Sequence, residues 1–249
     1  MPDSGIRRIL DSLLNLLYPE NCFICAVPLA RHADCGICTS CWNKAVALKI
    51  KPPRCPSCGL PLYNFQEDSE HLCGNCILQA PPYAGARSFG YYTAELSAII
   101  RGLKFLGRRS LAGLLAPLLA DAFYDSWGRE EFDLIAPLPL HAKRRRDRGY
   151  NQSELLARLL ARQVAVPIEN DILQRVRPTL PQVGLSDSQR LENVRGAFRC
   201  VKPRRVSNMR ILLVDDVMTT GATAASAARA LLEGGARRVS ILTVARTVR

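Results

Sequence analysis

A chain of 249 residues, 48% of them hydrophobic, can bury a substantial core as one large domain or as a small module joined to a medium one. Its 34 basic and 22 acidic side chains leave a net charge of +12, which suits nucleic acid, phosphorylated metabolites or an anionic membrane surface as partners. The apolar stretch 111–123 is too short for a bilayer and carries Asp121, so no membrane span is expected.

At the N-terminus Ile6, Ile9, Leu10, Leu13 and Leu14 recur at helical spacing. Asp11 interrupts the apolar run and no small-residue cleavage pattern follows before Cys22, which predicts an amphipathic helix in place of a secretion signal. Most of the ten cysteines then fall in close pairs, a pattern that favours metal ligation in a reducing, cytoplasmic setting over disulfides. Turn-rich sequence with little conventional core gives way at Ala80-Pro81-Pro82 to longer periodic segments, dividing the chain into domains at 1–82 and 83–249.

Beyond that boundary, 86–92 reads as a strand and 94–103 and 111–123 as helices. Phe132-Asp133-Leu134-Ile135-Ala136 reads as a buried strand stopped by Pro137-Leu138-Pro139. Ser153 is the expected cap of a helix through Leu160, and a short strand is expected at 168–173. The polar, basic stretch 175–195, broken by Pro178 and Pro181, predicts a long mobile loop. A strand at 211–214, a helix at 222–232 stopped by Gly234-Gly235, and a strand at 239–244 complete an alternation that implies an α/β fold with a parallel sheet.

The sharpest chemical pattern is Ile211-Leu212-Leu213-Val214-Asp215-Asp216-Val217-Met218-Thr219-Thr220-Gly221-Ala222-Thr223. It sets two carboxylates at the end of a buried strand, the end at which open α/β sheets bind ligands, and follows them with a small-residue turn into a helix. Backbone N–H groups at the start of that helix suit a phosphate, and Gly221 lets the backbone approach it. Adjacent carboxylates would repel a phosphate unless they held ribose hydroxyls or hydrated Mg²⁺, so the combination describes a sugar phosphate.

Along its whole length this run resembles the motif of type I phosphoribosyltransferases. Further segments occur in the order and spacing of the ComF family: Leu103-Lys104-Phe105, Pro137-Leu138-Pro139-Leu140-His141, Arg148-Gly149-Tyr150-Asn151-Gln152-Ser153, Pro181-Gln182-Val183-Gly184-Leu185-Ser186 and Asn193-Val194-Arg195-Gly196-Ala197-Phe198. The chain therefore resembles ComF-type proteins, linked to competence and the use of external DNA. The resemblance implies a type I phosphoribosyltransferase fold, a parallel sheet flanked by helices, behind an N-terminal zinc-ribbon module. It implies 5-phosphoribosyl 1-pyrophosphate as substrate or ligand, with Asp215 and Asp216 on the ribose hydroxyls. The 5′-phosphate would lie on Thr219, Thr220, Gly221, Ala222 and Thr223 and the pyrophosphate on Leu138, Pro139, Leu140 and His141, with Met218 also at the cofactor site.

In phosphoribosyl transfer the sugar gains oxocarbenium character while negative charge accumulates on the departing pyrophosphate, so cations and Mg²⁺ are needed there. Lys104, Arg145, Arg148 and Arg190 are the candidates, and closure of the loop at 175–195 would exclude water. His141 is as well suited to bonding its own loop as to acting as a base. Gln182, Ser186 and Asn193 could touch substrate or merely structure their loop. Acceptor selectivity is expected from a hood at 89–105, its ligand unidentified.

Cys22-x₂-Cys25 with Cys38-x₂-Cys41, and Cys55-x₂-Cys58 with Cys73-x₂-Cys76, supply two sets of four thiolates for structural zinc. Cys35 could replace a ligand, the pairs could interleave, and His32 and His71 lie close enough to compete; Cys200 reads as a free structural thiol. Gly59 and Gly74 fit tight knuckle turns. Zinc ribbons can present basic and aromatic side chains to single-stranded DNA, and Trp42, Lys44, Lys49, Lys51 and Arg54 are available for it. A zinc-ribbon nucleic-acid binder whose phosphoribosyl-pyrophosphate pocket is regulatory is the alternative function, with competence or DNA-processing proteins as possible partners.

Overall fold

The computed structural model describes residues 20–29, 35–63, 71–177 and 187–248. The expected N-terminal helix, His32 and residues 178–186 lie outside them. In chain order the first elements are α1 (Thr39–Ala47), α2 (Gly74–Leu78), β1 (Gly85–Tyr91), α3 (Ala94–Phe105), α4 (Leu111–Tyr124), β2 (Leu134–Pro137), α5 (Ala142–Arg148) and α6 (Gln152–Val164). There follow β3 (Leu173–Arg175), α7 (Asp187–Val194), β4 (Phe198–Cys200), α8 (Pro203–Val206), β5 (Arg210–Met218), α9 (Ala222–Glu233) and β6 (Arg238–Arg246).

Four strands form a sheet in the order β1-β6-β5-β2, every neighbouring pair parallel. A parallel sheet covered on both faces needs strands that are apolar throughout, and β5 and β6 are so because Leu212, Val214, Leu242 and Val244 face one side while Ile211, Leu213, Val239 and Ile241 face the other. The first set packs against Ile99 of α3, Leu115 and Phe123 of α4 and Leu156 of α6. The second meets Ala227, Ala228 and Leu231 of α9, whose small residues let the helix lie close to the sheet. Each large side chain so buried contributes roughly 1.5–3 kcal/mol. Between β1 and β6 the one buried polar pair, Ser88 Oγ and Thr243 Oγ1, is satisfied internally at 2.6 Å.

Three expectations change. The strand expected at 168–173 lies at Leu173–Arg175, where β3 pairs antiparallel with β4; Glu169, Asn170 and Asp171 break the apolar pattern, and Ile168 makes only a bridge to Ile135. Within the expected loop at 175–195, the described residues from Asp187 to Val194 form α7. It is docked on α9 by buried Val194 and by Ser226 Oγ, which donates to Val194 O at 2.6 Å. The cysteine-rich region also has more core than its composition predicted, because Cys22, Ile37, Cys41 and Ala45 join the apolar cluster of α3 and α4. Among the described residues no helix is long and apolar enough to cross a membrane.

Candidate ligand site and zinc centres

Because β2 and β5 are parallel neighbours, paired from Leu134–Ile211 to Pro137–Val214, the segments that follow them emerge at the same end of the sheet. Leu138 N–H extends the pairing to Val214 O at 2.9 Å, which holds residues 138–141 beside the end of β5 that carries Asp215 and Asp216. Gly221 opens α9 at φ +82°, a left-handed conformation in which an added Cβ would lie 2.8 Å from Met218 Cε and 3.1 Å from the Tyr83 hydroxyl. Thr220 Oγ1 accepts from Ala222 N at 3.4 Å.

Asp216 is 2% exposed, and its Oδ1 accepts from Lys104 Nζ at 2.8 Å. Burial works against the Lys104 ammonium, but Asp216 and then Asp215 outweigh it and hold its pKa above the ordinary value. Asp216 Oδ2 is buried with no hydrogen-bond partner. Asp215 Oδ1 accepts from Ser153 Oγ at 2.7 Å and from Asp216 N at 2.8 Å. Burial, and next the charge of Asp216, push the Asp215 carboxyl up to about 7. An acidic pair so buried, with one oxygen lacking a donor, is suited to ligand hydroxyls or a hydrated divalent cation.

Ser153 does not cap its helix as expected: Asn151 Oδ1 accepts from Ser153 N at 3.1 Å, and Asn151 Nδ2 donates to Leu138 O at 3.0 Å. Asn151 thus satisfies the helix start and ties it to the 138–141 segment, leaving the Ser153 hydroxyl for Asp215. His141 Nδ1 accepts from Lys143 N at 3.3 Å, so its ring bonds its own loop as the cap of α5. Arg148 stands 5.3 Å over the Phe105 ring and donates to Gln152 Oε1. Arg145 pairs with Glu154 at 3.4 Å. Arg190 belongs to α7, with its side chain outside the described residues. Residues 89–105 are a sheet strand and a packed helix, with Lys104 brought to the acidic pair.

Two residues near the site escape sequence reasoning. Ser153 carries the signal of a small polar residue on the buried face of α6, and Arg175 that of a cation on the same buried side of its short strand as Leu173. Arg175 lies 5.4 Å over the Phe198 ring. Burial, then Arg144, lower its pKa while the charge of Asp215 raises it, which puts the guanidinium within electrostatic reach of the acidic pair.

In each cysteine tetrad, Cys22, Cys25, Cys38 and Cys41 or Cys55, Cys58, Cys73 and Cys76, all sulfurs lie within 4.8 Å of one another. Tetrahedral zinc at a Zn–S distance of about 2.3 Å spaces its sulfurs about 3.8 Å apart; Cys25–Cys38 and Cys58–Cys73 stand at 3.6 and 3.5 Å. The pairs close sequentially and all ten cysteines are free of disulfides. Cys35 lies outside the tetrad, its Sγ 3.6 Å from Ser110 O, and His71 belongs to neither set. Burial pushes the Cys22 thiol up, but N–H groups of Cys38, Cys25 and Ile24 outweigh it and bring it to about 6, while burial and neighbouring sulfurs push Cys41 up. A divalent cation is what would let all four ionise together.

The tetrads belong to a repeated unit. Cys22 N donates to Val27 O and Cys55 N to Leu60 O, closing equivalent hairpins whose positive-φ residues are Ala26 at 60° and Gly59 at 71°. Cys38 and Cys73 then begin α1 and α2. Gly74 opens α2 and is no turn residue, contrary to expectation. Part of the expected DNA-facing surface of the ribbon is turned inward: Lys49 pairs with Asp121 and Asp125 at 2.8 Å each, Arg54 donates to Ser126 Oγ at 2.9 Å, and Trp42 packs on the core, whereas Lys44 and Lys51 stay exposed.

A parallel sheet with an acidic pair and phosphate-type turn at its carboxyl end, joined to two Cys₄ knuckles, defines a phosphoribosyltransferase-type domain with a double zinc ribbon. Family models agree: residues 13–77 match a double zinc ribbon domain and 151–247 a phosphoribosyl transferase domain. The chain is 36% identical to the DNA utilization protein YhgH of Salmonella typhimurium, over 94% of this chain and all of the relative. It is 34% identical to Competence protein F of Haemophilus influenzae over 85% and 90% of the two chains, and 28% identical to Competence protein ComFC of Bacillus subtilis over 98% and 97%. The chain belongs to the ComF family.

Proposed function

We propose that this protein is a cytoplasmic phosphoribosyltransferase that binds 5-phosphoribosyl 1-pyrophosphate with Mg²⁺ at the carboxyl ends of β2 and β5 and acts in the use of external DNA. The observation that carries the reading is Asp216 Oδ2, a buried carboxylate oxygen with no donor, one short turn from the amides that open α9. A ribose hydroxyl supplies the missing donor while the 5′-phosphate lies on residues 219–223. Residues 138–141 face the pyrophosphate, with Lys104, Arg148 and Arg175 as nearby cations. Asp215 and Asp216 are also the carboxylates suited to hydrated Mg²⁺, which when bound adds positive charge where the leaving group becomes negative. Ser153 fixes Asp215, and Asn151 fixes the 138–141 segment, so ligand groups meet donors already in place. The zinc ribbon, residues 1–82, is structural in this reading, and 83–249 form the transferase domain.

Ligand binding to the folded state raises its melting temperature. With saturating 5-phosphoribosyl 1-pyrophosphate and Mg²⁺ the zinc-replete protein should melt several degrees higher than with Mg²⁺ alone; no rise at millimolar ligand would overturn the reading.

A second reading, single-stranded DNA binding, is favoured by a run of stacked cations: Arg108 over Phe23 at 4.7 Å, Arg109 over Tyr150 at 4.6 Å, and Arg148 over Phe105, which is 70% exposed. Of these rings Phe105 is the exposed one, and an exposed ring can stack a base while the arginines around it neutralise phosphates. Oligothymidine should then bind in a salt-dependent way and weaken severalfold in Phe105→Ala; unchanged affinity in that variant removes this surface from consideration.

A further inference from the structure

Two arginines stand beside the second tetrad, Arg87 of β1 and Arg246 of β6, and the ligand site uses neither. Arg246 is 5% exposed, donates from Nη1 to Cys58 O, and its buried Nε–H has no hydrogen-bond partner. Arg87 donates from Nη1 to Pro56 O at 2.9 Å, and its buried Nε–H also lacks a partner. Among the described residues neither guanidinium pairs with a carboxylate. A buried cation without a counter-charge is strongly unfavourable. The groups both cations do face are sulfurs: Arg246 acts electrostatically on Cys58, and Arg87 on Cys55 and Cys58. Four thiolates on a divalent zinc leave two negative charges in excess, which two guanidinium groups match. The first tetrad is set differently, for Cys25 is exposed to water and Arg108, over Phe23 beside it, is exposed as well.

Arg246 has a second attachment. In the β5–β6 ladder it stands opposite Met218, from which the phosphate turn departs, and the next N–H, of Thr247, donates to Met218 O at 2.9 Å. Cys58 and Cys76 face the turn at 219–222 across a cleft of about 460 Å³, with Tyr83 between; its hydroxyl lies 3.1 Å from where a Cβ on Gly221 would stand. One strand end thus holds the zinc knuckle by a side chain and the phosphate turn by its backbone. We propose that Arg87 and Arg246 are the counter-charges of zinc in the second tetrad, and that Arg246 is a positioning residue through which this zinc and a phosphate ligand on the turn bind cooperatively. The proposal deepens the reading above and rests on residues 219–223 holding phosphate. Coupling of this kind is reciprocal, so a ligand on the turn must tighten the hold on zinc by the factor by which zinc tightens the hold on ligand. It is confined to the second knuckle, because Cys22 and Cys41 of the first pack on α3 and α4, away from the turn.

The test follows zinc passing from the zinc-replete full chain to a zinc-selective chelator, with and without saturating 5-phosphoribosyl 1-pyrophosphate and Mg²⁺, alongside calorimetric titration of that ligand. Wild type should release zinc in two phases, the slower from the second tetrad, whose four cysteines are all buried. The ligand should slow only that phase, severalfold. Arg246→Met should speed the slow phase tenfold or more and weaken ligand binding, whereas Arg246→Lys, which keeps the charge, should stay near wild type. Arg87→Met should speed the same phase yet leave ligand affinity unchanged, because its bonds run to Pro56 and Ala86 and not to the turn. A slow phase unaltered in both methionine variants, or a bound ligand that slows neither phase or both alike, would overturn the proposal. If wild type binds no ligand while both methionine variants still speed the slow phase, the counter-charge role stands, and the phosphate reading falls together with the coupling built on it.

Discussion

Asp215 and Asp216 differ in environment though adjacent in sequence. Asp216 is neutralised by Lys104, whereas Asp215 receives hydrogen bonds from Ser153 and the Asp216 amide. Truncating one member of a buried ion pair leaves the other uncompensated, so Lys104→Ala should lose about 3–5 kcal/mol in urea unfolding. Asp215 titrates at about 7 in the fold, against about 4 in an unfolded chain. Between those values the native state binds the extra proton, so this group's contribution to stability declines as pH rises from about 4 to 7. Asp215→Asn removes the effect, and its melting temperature should fall less than that of wild type between pH 5 and 8; parallel curves would refute the assignment. The acidic pair and the phosphate turn were legible in the sequence because they lie on one local segment. Ser153 and Arg175 were not, because only the packing of α6 and of the β3–β4 pair brings them near Asp215.

Two glycines chosen on one sequence argument have different roles at the scale of the elements. Gly59 has φ +71° and an added Cβ would lie 2.3 Å from Ala86 O, so Gly59→Ala strains the knuckle and drives it off β1. It should lose at least about 2 kcal/mol of stability and release one zinc to a chelator faster than wild type. Gly74→Ala, in α2 with nothing within 4 Å of the added carbon, should be neutral or gain roughly 0.5–1 kcal/mol. Spacing could identify the cysteine ligands but not which glycine carries the turn, since that depends on a neighbouring strand. The same limit applies to α7. Its flanking prolines and charge suggested loop, and docking of Val194 on α9 decides for helix.

The ribbon and the sheet are joined through backbone. Ile50 N donates to Phe89 O at 2.8 Å, Tyr91 N to Leu48 O at 3.0 Å and Ala86 N to Ser57 O at 2.8 Å, so both knuckles are fastened to β1. Arg87 Nη1 adds a bond to Pro56 O at 2.9 Å, and Arg246 reaches Cys58 O from the end of β6. Alternation of strands and helices was enough to read the parallel sheet from sequence; the attachment of the ribbon was not readable, because Lys49 and Arg54, apparently solvent-facing, are used to hold α4. Elemental analysis should give two zinc ions per chain, and their removal should lower the melting temperature of the whole protein in one transition. Calorimetric titration with 5-phosphoribosyl 1-pyrophosphate, with and without Mg²⁺, probes the acidic pair itself. Wild type should bind in a Mg²⁺-dependent way, and binding should be lost when Asp215→Asn and Asp216→Asn are combined in a folded, zinc-replete protein; equal binding by that double variant, or none by wild type, would rule out the phosphoribosyl-pyrophosphate site.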